Sequence, residues 1–384
     1  MKQVIRQVIK ETNNVTDEPF IYTLLLDMNS IMKACLVNKK VNNKGLEIGM
    51  VYHTLLQIRN MLAKKDFNFC YAMYDGDGSG SLRYQIYKDY KANRDKHYEQ
   101  YVNVSEYDKK INEYCKKVIN YHKGIKQEVK RDETDDEIFA RQREIVFKCL
   151  EELFVRQCIY NNVEGDDLIA YYVKNKKPNE RIVIISGDRD LTQLISDSVT
   201  VYVFQLKKFI TPDNHIKEIG FTHENVLIKK IICGDASDNI KGIKGVGETT
   251  FFKLFPNAIK EKLNLDDVIR ISKDLLEERT KEKKKPLKSL ENIVNKVTDG
   301  IQGENIYEIN KQLIDLSQPL LTDEAKEELD NLFYAPLDPE GRDYKNLYEI
   351  IRENDIQDLL DSDKFSNFFT PFGRLIENEK KYKG

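Results

Sequence analysis

The sequence predicts an α/β core built on a parallel sheet with helices on both faces, followed by a mostly helical second half. Three observations carry this reading. Apolar runs of 5–6 residues recur before about residue 220, and helix-periodic stretches lie between them. Such alternation implies parallel pairing. The runs are nearly continuous in apolar character, as in strands buried on both faces. From about Phe221 the pattern turns mostly helical.

Taken in order, residues 1–20 read as a polar, mixed-charge lead-in. Ile21–Leu26 (IYTLLL) is the first strand and runs into Asp27; Phe69–Tyr74 runs into Asp75. Arg181–Ser186 (RIVIIS) runs into Gly187-Asp188, and Thr200–Phe204 is a further strand. Helical patterns occupy Ile48–Ala63, Glu137–Phe154 and Asp166–Lys174. Residues 95–136 are charged and Tyr-rich with patchy periodicity, and an excursion of that length is usually functional or disordered. The charge run Lys273–Lys288 reads as a solvated helix face or loop, with a DNA-backbone contact as the sharper alternative.

Composition bounds the function. At 384 residues, 40% hydrophobic and 33% charged, the chain can bury a sizeable core under a heavily charged surface. No stretch reaches the ~18–20 apolar residues of a membrane span, and no apolar signal-like run opens the chain, so a cytoplasmic protein without a membrane partner is expected. Cys35, Cys70, Cys115, Cys149, Cys158 and Cys233 are scattered without a CxxC pair, as in reduced core thiols. The net charge of −3 argues weakly against a nucleic-acid binder. Lys and Arg nevertheless cluster between Arg83 and Lys130 and at Lys281–Lys288, so the mean decides little.

The acidic residues carry the chemistry. Asp27 and Asp75 end strands; Glu164, Asp166 and Asp167 sit in VEGDD before a helix; Asp188 and Asp190 sit in SGDRDL; Asp235 and Asp238 sit in GDASDN. Parallel sheets bind ligands beyond the carboxyl ends of their strands, where three of these acids are delivered. Crowded carboxylates repel one another, and hard cations such as Mg²⁺ or Mn²⁺ resolve the conflict. Two ions about 3.5–4 Å apart can clamp the attacking and leaving oxygens of a phosphodiester. Asp75-Gly-Asp-Gly-Ser-Gly80 resembles an EF-hand start, but its twelfth position is Ile86 rather than Glu, which excludes calcium sensing.

After Asp75, Leu82–Arg94 interleaves basic residues with Tyr, as suits a phosphate backbone with stacked bases. On a helix, Tyr87, Lys91 and Arg94 would share a face, with Arg83 and Lys88 nearby. The glycines at 242, 245 and 247, around Lys244, lack a P-loop ending. They read either as a plain tight turn or as a place where backbone amides approach a phosphate beside a helix N-terminus.

In chain order, LLLD, YDG, YKANR, VEGDD, SGDRDLTQL and GDASDNIKGIKGVG resemble the 5′-nuclease superfamily of flap endonucleases and 5′→3′ exonucleases over roughly Ile21–Phe255. Within it, the lead-in, the helical segment Leu313–Asp338 and the aromatic C-terminus look most like the ribonuclease H branch of T-even bacteriophages. The resemblance implies a PIN-like nuclease core over residues 1–220 with an arch at 95–136. It implies a helical region over 221–384 with a duplex-gripping helix–hairpin–helix at 230–255. By the same resemblance Asp27, Asp75, Glu164 and Asp166 would hold a first Mg²⁺, for which Mn²⁺ could substitute. Asp167, Asp188, Asp190, Asp235 and Asp238 would surround a second, some through water. Arg83, Lys91 and Arg94 would act on the scissile phosphate. Tyr87, Lys88, Gly242, Lys244, Gly245 and Gly247 would contact nucleic acid, with a K⁺ ion on the turn's carbonyls.

The implied activity is structure-specific 5′-end or flap cleavage of DNA and RNA–DNA hybrids, including RNA-primer removal, by a monomer that leaves 5′-phosphates. A sliding clamp or a single-strand-binding protein are the implied partners, and the host cytoplasm the implied location if phage-encoded. Two other readings are weaker: a structure-specific DNA binder that has lost catalysis should have shed acids, and a toxin-like PIN ribonuclease would be much shorter. The four Phe of Lys364–Gly373 suit docking onto the chain's own core better than a clamp peptide.

Overall fold

The structure, a computed structural model, describes residues 19–93, 133–337, 342–359 and 365–383. Strands β1 (Ile21–Asp27), β2 (Phe69–Met73), β3 (Arg156–Cys158), β4 (Glu180–Ser186), β5 (Val199–Val203) and β6 (Lys208–Ile210) form one sheet in the order β3-β2-β1-β4-β5-β6. β1 to β5 pair in parallel and β6 closes one edge antiparallel to β5. The four strands expected from apolar runs are present with bounds shifted by a residue. β3 and β6 were not anticipated, since three residues are too few to show a period.

Burial explains why these runs are strands. Leu24 and Leu26 of β1, with Cys70 and Ala72 of β2, enter one core cluster, while Leu25, Tyr71 and Met73 enter the other. Successive side chains thus go to opposite, equally covered faces, which a period-two backbone requires. Helices Met28–Leu36, Gly49–Leu62 and Asp135–Glu152 cover the first face. Helix Gly165–Lys174 covers the second, together with Asp323–Leu332. The helix Asp135–Glu152 starts on a Thr134–Glu137 capping box, so the expected arch at 95–136 ends inside an ordinary helix start; residues 95–132 of it lie outside the described residues.

The helical second half does not stay apart from the sheet. Leu316, Leu321 and Phe333 join the second cluster, and Leu347, Ile351, Phe368, Phe369 and Phe372 join the first. Residues 226–307 keep a core of their own, built on Ile231, Phe251, Val268 and Tyr307. The boundary near residue 220 is therefore one of sequence pattern, and the chain returns to finish the sheet's two cores. The C-terminal aromatics dock on the chain itself, as their composition suggested. The five described cysteines are free, and Cys233 alone of them is not buried. Among the described residues no helix is long and apolar enough to cross a membrane.

Phe372, fully buried beside Phe368, gives a direct check of this return. Phe372→Ala should lower unfolding free energy by about 3–5 kcal/mol, the usual loss for a buried Phe, in a single urea transition that takes the sheet with it. A detachable tail would leave the main transition unmoved.

Candidate metal-dependent nuclease site

In this strand order the chain leaves β1 to one side for β2 and β3, then crosses to the other side for β4. The switch point thus lies between β1 and β4, where a crevice forms beyond the strand ends. Leu26 pairs with Ile185 and Asp27 with Met73. This register sets Asp27, Ser186 and the residues just past β2 and β4 on one edge.

Asp27 caps the helix that follows it, its Oδ1 accepting the Ser30 N–H at 3.1 Å. Its Oδ2 accepts from the Ser186 hydroxyl. Burial pushes its carboxyl up to about 7 against those hydrogen bonds, and the charges of Asp75 and Asp188 add to the rise. Asp75 Oδ1 accepts the Gly165 N–H at 2.8 Å and its Oδ2 accepts from the Asn29 amide. A Cβ at Gly165 would stand 3.3 Å from both Asp75 Oδ1 and the Tyr74 backbone, so glycine lets the helix start approach this closely. Asp188 accepts the Asp190 N–H at 2.8 Å and donates its own N–H to Ser186 Oγ at 2.8 Å. Glu164, Asp166 and Asp167 bring carboxylate oxygens within 4.8 Å of one another. Four separated segments thus deliver acids to one place.

Built-in cations hold part of this charge. Arg83 is buried, with its guanidinium on both Asp167 oxygens and on Glu164, and its Nε donates to the Leu313 carbonyl at 2.9 Å. Asp167 Oδ1 also accepts the Leu320 N–H at 2.9 Å. Glu164 accepts from Lys91 and, at 2.9 Å, from the Tyr90 hydroxyl. Although burial opposes its charge most, Arg83 and Lys91 bring Glu164 down to about 2. Burial raises Asp166 well above the carboxylate range, and the more distant charges of Arg83 and Lys91 do not offset it.

At the other end of the edge, Lys230 of helix Val226–Cys233 reaches Asp190 and, at 2.6 Å, Asp235. Burial followed by the Asp188 charge still leaves Asp190 at about 6. Lys230 and the Ser237 donors keep Asp235 low against its desolvation.

The structure places the remaining expected residues as follows. Arg83, expected at a phosphate, is locked under the site as the counter-ion of Asp167 and Glu164. Asp167, expected near a second ion, faces Arg83. The helix stops at Ile86, so Tyr87 and Lys91 share no helical face. Tyr87 is buried with Tyr90, Ile240, Leu313 and Ile314 rather than offered for stacking. Lys91 sits at φ 55° with its N–H on the Asp238 carbonyl at 2.8 Å, and Arg94 lies outside the described residues. Asp238 also accepts from Tyr90 at 3.4 Å, and exposed Lys88 sits over the Tyr84 ring.

The glycine segment forms a two-residue ladder, β7 (Gly234–Asp235) with β8 (Ile240–Lys241), then a turn into helix Glu248–Leu254. A Cβ at Gly242 would lie 2.1 Å from the Cys233 carbonyl carbon, so that glycine serves backbone packing. Gly245 (φ +76°) and Gly247 face open space. Lys244, also at this turn, pairs with Asp299 at 2.8 Å on the surface. Lys230, Asn29, Ser186 and Tyr90 escaped sequence reading. Each is an ordinary residue whose partner lies 40 or more positions away for Lys230–Asp190, Asn29–Asp75, Ser186–Asp27 and Tyr90–Glu164.

Residues 22–220 match the family described as 5′-3′ exonuclease, N-terminal resolvase-like domain. The chain belongs to this 5′-3′ exonuclease family. It is 26% identical over 247 residues to DNA polymerase I of Bacillus subtilis, covering 63% of this chain and 24% of the polymerase. It is 26% identical over 228 residues to the 5′-3′ exonuclease of Mycoplasmopsis pulmonis, covering 59% of this chain and 63% of that protein. The chain thus spans about a quarter of the polymerase's length and under two thirds of the exonuclease's. Among solved structures it is similar to the bacteriophage T5 flap endonuclease in a pseudo-enzyme-product complex with DNA and metal ions. The TM-score there is 0.55 at 17% identity, over 87% of this chain and 99% of that one. That likeness carries the fold: a PIN-like parallel-sheet core.

Two outcomes follow for this family member. Arg83→Met should destabilise the chain by about 3–5 kcal/mol in denaturant melts, because Asp167 and Glu164 would stay buried without their cation. A residue serving only a phosphate would leave stability unchanged. The second outcome concerns pH. Asp27 binds its proton more tightly folded than unfolded, so its contribution is present below about pH 4 and is lost as pH rises through about 7. Without divalent ions, Asp27→Asn should therefore be more stable than wild type at pH 8, by up to about 4 kcal/mol, and equal to it near pH 4. Taking the difference between the two proteins cancels His215 and His223, whose lowered values act in the opposite sense. Added Mg²⁺ should raise the wild-type Tm most at high pH and leave Asp27→Asn little changed.

Proposed function

We propose that the chain is a structure-specific 5′-nuclease, a 5′→3′ exonuclease and flap endonuclease that hydrolyses phosphodiester bonds to leave 5′-phosphates. The observation that carries this is the meeting of Asp27, Asp75, Asp166 and Asp188 at the switch point of the sheet, with Asp27 and Asp166 poorly compensated by the protein's own cations.

An all-oxygen donor set around carboxylates whose charge is resisted fits a hard divalent cation, Mg²⁺ or Mn²⁺. Asp27, Asp75, Glu164 and Asp166 would hold one ion. Asp188, Asp190 and Asp235, with Asp238 and Asp167 further out, would surround a second. Bound there, such ions supply Lewis acidity toward the phosphodiester and its attacking water. The chain's own residues do the rest. Lys91 places a cation at the rim of the carboxylates, where charge grows on the reacting phosphate. Arg83 is a positioning residue that fixes Glu164 and Asp167. Lys230 keeps Asp190 and Asp235 together. Arg94 would add a second cation on the phosphate side, and the arch at 95–136 would pass the 5′ strand.

Gly245, Gly247 and Lys244 form the open side of a turn suited to a duplex backbone, the helix–hairpin–helix role, with K⁺ on its carbonyls as an added ion. Two of those carbonyls, at Gly242 and Lys244, already accept from Thr298 and Asn292, so K⁺ would share them. Removal of RNA primers from RNA–DNA, a partnership with a clamp or single-strand-binding protein, a monomeric state and kinship with the T-even ribonuclease H branch belong to the same proposal. The T5 relative's bound DNA and metal ions support it by likeness of fold.

Asp188→Asn should abolish cleavage of labelled 5′-flap DNA and of an RNA-ended duplex while leaving flap binding measurable by anisotropy. Unchanged turnover would refute the assignment, and preferential cutting of single-stranded RNA would favour a PIN-type ribonuclease.

A further inference from the structure

The opposite, amino-terminal end of the sheet holds a second concavity. It is lined by Tyr22 and Leu24 of β1, Val183 of β4, Phe67 and Phe209, and encloses a cavity of about 70 Å³ behind an open mouth. Tyr22 lies five residues before Asp27 on the same strand, so the two ends are separated by about 17 Å at the usual rise per residue. An occupant here would leave the carboxylate edge clear.

The rim is basic. Lys64, Lys65 and Arg181 line the cleft, and Asp197 is the single carboxylate among the described lining residues. Lys65 sits 3.2 Å from the Tyr22 ring centroid, and Arg181 lies over Phe20 at 4.8 Å. Lys64 donates to the Met61 sulfur at 3.6 Å and lies 5.6 Å from the Tyr202 ring. Neither Lys64 nor Lys65 makes a salt bridge among the described residues. Their neighbour Asp66 instead faces Arg374 at 3.6 Å. Burial brings the Lys65 ammonium down to about 8, with the nearby Asp66 charge opposing the fall. Phe20 is 42% exposed at this mouth.

We infer that this cleft docks an acidic peptide of a partner protein carrying a bulky apolar side chain. The side chain enters between Tyr22, Phe67 and Phe209, and its flanking carboxylates meet Lys64, Lys65 and Arg181. Aromatic walls supply the anchor pocket that dominates such contacts, and the three cations of the rim, against one carboxylate, select the charge of the partner. This inference is independent of the nuclease assignment, since none of these residues belongs to the carboxylate site.

The probe is a fluorescein-labelled peptide, Glu-Asp-Phe-Leu-Asp-Glu, titrated with the full chain and followed by anisotropy. Saturable binding is expected, weakening as salt rises. The double variant Lys64→Glu, Lys65→Glu should raise Kd at least tenfold, as should replacing Phe and Leu of the peptide with Ala. Phe20→Asp, a surface change that adds a carboxylate to the mouth, should weaken binding in the same direction. Flap-DNA cleavage should be unchanged in both variants, which separates this result from any failure of the nuclease reading. Equal Kd for wild type and variants would overturn the inference. So would displacement of the peptide by oligothymidylate at lower concentration than by unlabelled peptide, which would assign the cleft to nucleic acid. Peptide binding that appears only once residues 1–18 are removed would assign it to those residues, and concentration-dependent dimerisation to a second copy; either overturns it too.

Discussion

The mutual repulsion of carboxylates at the switch point is the constraint on which the rest of the architecture depends. Desolvation makes each charge dearer, and like charges nearby add to the cost. The chain answers with fixed cations in a definite arrangement: Arg83 under Asp167 and Glu164, Lys91 on Glu164, and Lys230 between Asp190 and Asp235. Helix N-termini at Asp27 and Glu164 add partial positive charge. What these leave uncompensated, chiefly Asp27 and Asp166, is held toward its protonated form by burial.

This division explains why remote parts of the fold converge on the site. Arg83 is held by the Leu313 carbonyl and Asp167 by the Leu320 N–H, so the segment after helix Ile306–Ile314 forms the floor of the acidic cluster. The loop 87–93 docks on the loop 235–239 through the Lys91 N–H, Asn93 and Asn239. The helical second half thus completes the site and also packs on both faces of the sheet. A tight packing glycine at 242 and an open one at 245 divide the labour in the turn between holding the fold and meeting solvent.

Much of this was legible in the sequence because its signals are local. Continuous apolar runs specify buried strands, and an Asp just past each run specifies acids along one edge once the strands pair in parallel. Six motifs in order gave the family. Where local pattern was extrapolated through a segment with its own constraint, the expectation failed. A helical face through Tyr87 and Lys91 reads well by spacing. Yet Tyr87 is pulled into a hydrophobic cluster with Ile240 and Leu313, and the chain must turn out of the helix to place Lys91.

By itself the sequence determined which residue types are available at the strand ends, the alternation of elements and the family. Those properties depend on neighbours within a few positions, where periodicity and composition are informative. Tertiary structure alone decided which acids are neutralised from within and which are left without a close cation of the chain's own. That choice depends on Arg83, Lys91 and Lys230 meeting carboxylates many residues away in a desolvated space. No local pattern encodes the pairing of charges that become neighbours only after the two halves of the chain have packed.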